Sequence, residues 1–126
     1  MNNIKIVNTH SHVNMLKETN IEQAIDNAQK EGILTIIPST NNKDIFEIDN
    51  FIKPYTNIYG YIGIYPEESK YFTDKTLNDM EEIIKHNRKI IGIGEIGLDY
   101  YYVSDDADVA AAEKKQQREW FAAQMD

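Results

Sequence analysis

Residues 33–40 read ILTIIPST, a short apolar run with Pro38 near its end. Its length and its Ile content mark a buried strand rather than a helix. The neighbouring segments change period. Upstream, Asn20 is placed to cap a helix, with Gln23 three residues on. Ile21, Ala24, Ile25 and Ala28 then share one helical face, and Gly32 stands where that helix should stop. Downstream, Lys43 to Ile52 places Ile45, Ile48, Phe51 and Ile52 on one side, with Pro54 closing the segment. Further strands are expected at Ile4 to Thr9, at NIYGYIGIYP (57–66) and at KIIGIGEIGLD (89–99). Helices are expected over Thr73 to His86 and Asp108 to Gln124. A β-α order repeated four times, with short connections and near-continuous apolar strands, predicts an α/β fold: a parallel sheet covered by helices.

At 126 residues the chain is one domain's worth, long enough to bury a core. It has no apolar run near the ~18 residues that would suggest a membrane-spanning helix, so no membrane is expected among its partners. Its first residues lack the pattern of a signal peptide. Absence of cysteine excludes disulfides and thiolate metal sites and fits a cytoplasmic location. A net charge of −8 argues against a broad basic face for nucleic acid. It leaves room for a phosphodiester bound through cations. One compositional shift is sharp. After Tyr102 there is no Ile or Asn, but six alanines. The stretch 102–108 therefore reads as a linker, as a join between two sequences, or as the start of an Ala-rich helix.

Two of the three histidines, His10 and His12, close the first strand in IVNTHSHVN (6–14). In a regular strand both would point the same way, at the C-terminal end where α/β active sites form. On the fourth strand Ile91, Ile93 and Glu95 would share a face by the same parity. A carboxylate following two isoleucines needs a partner, and no Lys or Arg lies near it in sequence. A cation would serve. Two imidazoles and a carboxylate suit Zn, Mn or Fe, and with added carboxylate and water also Mg. Spacing alone leaves other roles open. Histidines at a strand end also serve as surface or hydrogen-bonded core residues, and Glu95 could instead cap a helix. His86 reads as a solvated residue of a helix end. The tyrosines at 100–102 read as packing residues, and EKKQQRE (113–119) as a solvated helix face.

Taken together, these stretches resemble the TatD family of metal-dependent deoxyribonucleases. NTHSHVN is similar to the family's first-strand motif, Asp-Thr-His-(Cys or Ser)-His-Leu-Asp. GIYPEE (63–68) falls at the family's Gly-x-His-Pro segment. IGIGEIGLDYY (91–101) is similar to the signature Ile-Gly-Glu-x-Gly-Leu-Asp, and QREWFAAQM (117–125) to the Gln-x-x-x-Phe-x-x-Gln that follows it.

The resemblance implies a TIM-type barrel, a fold that takes about 250 residues. Residues 1–126 would then be an N-terminal half-barrel of the first four units. It implies His10, His12 and Glu95 as metal ligands. Glu95 would also be the catalytic residue, bridging two divalent ions (Mg, Mn or Zn). Two further histidines and an aspartate would come from later strands. The implied activity is hydrolysis of phosphodiesters in DNA, with the isolated half incomplete for it. Three positions depart from the pattern: Tyr65 stands where the family has His, Asn14 replaces an acid, and Asn8 replaces Asp. One alternative is an amidohydrolase-like barrel on another substrate. That class shares the His-x-His but has a lysine where this chain has Glu95. Another is a non-catalytic half-barrel, with Ile4, Ile6, Ile91 and Ile93 lining an open interior, that self-associates or pairs with a complementary half.

Overall fold

A computed structural model of the chain describes residues 3–17 and 20–126. The first helix begins as its sequence dictates. The Asn20 side chain accepts the Gln23 N–H at 3.1 Å, capping α1 (Ile21–Lys30). Gly32 then takes φ +78°, a conformation that L side chains rarely adopt, and turns the chain into the next strand. The full order is β1 (Ile6–Asn8), α1, β2 (Ile33–Pro38), α2 (Asp44–Ile52), β3 (Ile58–Ile62), α3 (Asp74–His86), β4 (Ile90–Ile93) and α4 (Ala107–Met125). Short 3-10 turns occupy Val13–Met15 and Pro66–Tyr71. The strands form one sheet in the order β1-β2-β3-β4, and every neighbouring pair is parallel. The expected α/β architecture of four β-α units is the observed one.

The strands are shorter than their apolar runs. Pro66 opens a 3-10 turn rather than closing β3, and β4 leaves its ladder after Ile93. Thr73 lies outside α3 and caps it, exchanging bonds with Thr76 in a capping box.

One face of the sheet carries the core. Ile37, Ile58 and Ile62 pack there with Ile25 of α1, with Ile45, Ile48 and Ile52 of α2, and with Met80 and Ile83 of α3. Each such isoleucine contributes about 1.5–3 kcal/mol on leaving water, so this layer dominates the stability of the fold. Gly60 belongs to this face, since a Cβ there would meet Ile48 and Ile52 at 3.1 Å. On the opposite face stand Leu34, Ile36, Tyr59 and Tyr61, none of which belongs to that core cluster.

That pairing corrects one sequence expectation. Ile6 pairs with Ile33 and therefore faces the helix layer, where as an edge residue it stays 58% exposed. In β4 a bulge intervenes: Gly60 pairs with Ile90, but Tyr61 pairs with Gly92, so Ile91 is an extra residue. Gly92 and Gly94 then lie against Tyr61, while Ile93 lines a groove with Leu77, Met80 and Gln124. Ile6 and Ile93 thus do not line an open interior, because register and a bulge override simple alternation.

Helix α4 packs across the Pro66–Tyr71 turn, with Trp120 against Phe72 at 4.4 Å between ring centroids. Its stretch 113–119 is not a purely solvated face: Gln117 is buried. Tyr101 and Tyr102 are 82% and 72% exposed, so they are not packing residues. His86 is exposed at the end of α3, as expected.

Candidate metal centre

The first histidines leave β1 at once. Its ladder ends at Asn8, the Asn8 side chain accepts the His10 N–H at 3.3 Å, and His12 caps the turn Val13–Met15. The segment stays fastened to the sheet through the Ser11 N–H, which donates to the Ile36 carbonyl at 3.0 Å. Strand parity therefore does not aim the two rings. The turn does, and it brings the two Nε2 atoms to 3.2 Å.

Glu95 arrives from the far side of the sheet. Its Oε1 lies 2.9 Å from His10 Nε2 and 3.3 Å from His12 Nε2. His10 is exposed, whereas His12 and Glu95 are half-buried. The three sequence-predicted ligands are thus brought together at the C-terminal end of the sheet. Two donors each ~2.1 Å from one ion stand about 3.0–3.4 Å apart, depending on the angle between them. The observed triangle matches that spacing, and its donors suit Zn, Mn or Fe. His12 Nδ1 is buried without a partner among the described residues, as is Asn14 Oδ1. A ligating histidine ordinarily donates its second N–H to a carboxylate or carbonyl. On this donor set a divalent ion fits, with weaker outer support at His12 than such sites usually have.

Around the triangle lies a second group of polar residues. The Tyr65 hydroxyl donates to Asp99 Oδ2 at 3.1 Å. That bond, then burial, then the Asp99 charge raise the Tyr65 pKa above the usual tyrosine value, with smaller contributions from Glu67 and Glu95. Asp99 is itself held by Gln117, which accepts its N–H at 2.9 Å and donates to its carbonyl at 2.7 Å. The Tyr65 N–H donates to the Thr40 carbonyl at 2.7 Å. The role of Gln117 escaped periodicity, because it sits in a run of charged residues. The signal that marks it is the Gln spacing in QREWFAAQ, with Gln124 seven residues on.

A family model described as TatD related DNase matches residues 7–126. An uncharacterized metal-dependent hydrolase of Bacillus subtilis, YabD, is 29% identical over 106 residues, covering 82% of this chain and 41% of the relative. One from Methanocaldococcus jannaschii is 30% identical over 101 residues, covering 79% of this chain and 40% of the relative. Among solved structures, the TatD homolog YjjV of Escherichia coli K12 superposes with a TM-score of 0.74 at 22% identity. That likeness covers 95% of this chain and 45% of the other and supports the fold. The chain spans about two fifths of the length of these curated relatives. With its four parallel β-α units, its His-x-His turn and its Glu95 in place, the chain belongs to the TatD related DNase family.

Proposed function

We propose that this chain carries the metal-gripping part of a TatD-type hydrolase that cleaves phosphodiester bonds in DNA. The observation that carries the reading is the convergence of His10 Nε2, His12 Nε2 and Glu95 Oε1 within 3.3 Å at one sheet end. These three would hold one divalent ion (Mg, Mn or Zn). A second ion, if the site takes two, would need donors beyond these three, and Glu95 is the residue that would be shared with it. A divalent ion held there would supply Lewis acidity toward a phosphoryl oxygen. The chain's own residues orient the substrate. Tyr65, neutral and tied to Asp99, presents its oxygen as an acceptor where the family has histidine. The amidohydrolase alternative ranks lower because a carboxylate, not a lysine, meets the histidines.

Nuclease assays with Mg and Mn test the reading, comparing the wild type with Glu95→Gln. Cleavage lost in the variant supports it, and equal cleavage in both sinks it. If the isolated chain is silent, the same comparison is made after adding a complementary half from a relative.

Association is a second proposal, favoured by exposed apolar residues at both sheet edges: Ile4, Ile6 and Val7 at one, Ile91 and Ile93 at the other. Such edges recruit further strands. Size-exclusion chromatography with light scattering should give a mass above one chain, and a well-behaved monomer would refute it. The proposed compartment is the cytoplasm. No helix among the described residues is long and apolar enough to cross a membrane.

A further inference from the structure

Ser39 lies at the C-terminal end of β2 with no exposed surface. Its N–H donates to the Tyr61 carbonyl at 3.0 Å. Its hydroxyl does two things to one neighbour: Oγ donates to the Gly63 carbonyl at 2.8 Å and accepts the Gly63 N–H at 2.7 Å. Its carbonyl accepts the Glu95 N–H at 2.8 Å. One residue thereby joins the end of β2 to the exits of β3 and β4.

Gly63 transmits the constraint. A Cβ built on it would fall 2.5 Å from the carbonyl carbon of Gly94 and 2.8 Å from its Cα, so the two backbones are in direct contact. Glu95 follows Gly94 and lies beyond the β4 ladder, which stops at Ile93. Pairing with β3 reaches only as far as Gly94, whose N–H donates to the Ile62 carbonyl at 3.1 Å. Beyond it, two contacts hold Glu95: the Ser39 carbonyl on its N–H, and the Gly63 backbone that the Ser39 hydroxyl holds.

We propose that Ser39 is a positioning residue for Glu95. Its hydroxyl, by clamping Gly63, fixes the Gly94–Glu95 peptide at the height where Oε1 meets both histidines. The proposal rests on the reading of His10, His12 and Glu95 as a metal centre. A merely structural serine would, when removed, lower stability while leaving metal affinity of the folded protein unchanged.

The test uses the full chain as wild type and Ser39→Ala, with Mn or Zn alone as the probe in calorimetric titration. Amide hydrogen exchange at Glu95 is followed alongside, with α1 and α2 amides as internal reference. Loss of support behind a ligand typically weakens metal binding about 10- to 100-fold, and that loss is expected here. Exchange at Glu95 is expected to quicken while the reference amides hold their rates. Should Ser39→Ala fail to keep its circular dichroism spectrum, Ser39→Cys, a weaker donor and acceptor of similar shape, carries the same comparison. Unchanged affinity and unchanged exchange at Glu95 overturn the positioning role and leave the metal reading standing. Exchange that quickens equally everywhere, at unchanged affinity, also overturns it. A wild type that takes up no metal overturns the metal reading, and the positioning role with it.

Discussion

Gln124 holds both polar atoms of Ile64: its Oε1 accepts the Ile64 N–H at 2.7 Å, and its Nε2 donates to the Ile64 carbonyl at 3.4 Å. Seven residues earlier, Gln117 does the same to Asp99. Ile64 precedes Tyr65, and Asp99 is the partner of Tyr65, so α4 fixes both sides of that hydrogen bond. Removing Gln124 leaves a buried N–H unpaired. Gln124→Ala should therefore cost about 1–3 kcal/mol in urea denaturation. A loss below ~0.5 kcal/mol, the ordinary range of a surface substitution, would show that the clamp contributes nothing.

Glu95→Gln keeps the shape of the side chain and removes its charge. With two imidazoles left as the only anchors, affinity for Mn or Zn should fall at least about tenfold, while the fold is kept. Titration of both proteins, with circular dichroism as the fold control, checks this. Equal affinities would remove Glu95 from the ligand set.

The Tyr65 hydroxyl gives a pH-dependent prediction. Its pKa in the fold is raised above the ordinary tyrosine value, chiefly by its bond to Asp99. A raised pKa means the folded state keeps the proton longer. The stability it contributes is whole below the unfolded value and is lost as pH rises through the folded one. Tyr65→Phe should be less stable than the wild type at neutral pH by about 1 kcal/mol. That gap should close in alkaline solution, above the free tyrosine pKa of about 10. Denaturation of both proteins across this range tests the sign. A gap that widens with pH would contradict it.

Gly63→Ala pushes a methyl group into the Gly94 backbone, which has no flexible end to swing aside. The exits of β3 and β4 must part, at an expected cost of about 3 kcal/mol. Thermal unfolding against the wild type measures it, and an unchanged midpoint would mean the contact is looser than described.

Much of this was legible in the sequence, for local reasons. Asn20, Gly32 and the isoleucine spacing of α2 carry their structural meaning within a few residues of chain. The His-x-His pair and Glu95 were legible as a candidate ligand set. Their meeting was not derivable from parity, since β1 ends at Asn8 and a bulge at Ile91 shifts β4. Register is a property of two strands, and neither strand encodes it alone. Gln117 was hidden for a related reason. A polar residue in a charged run looks solvated until the loop it clamps is in place. Ser39 was hidden by its size, because a serine ending a strand announces nothing about what its hydroxyl will bridge.

Both segments that carry the candidate ligands are fastened to one run of chain. The Ser11 N–H is fastened to Ile36 and the Glu95 N–H to Ser39, three residues apart on the same run. This stretch is a common reference for the three candidate ligands. For engineering, the chain therefore divides unevenly. Extra residues are best accepted around Tyr101 and Tyr102, whose side chains are exposed. A single insertion between Ile36 and Ser39 would shift one ligand past the other and dismantle the centre without touching any of its three donors.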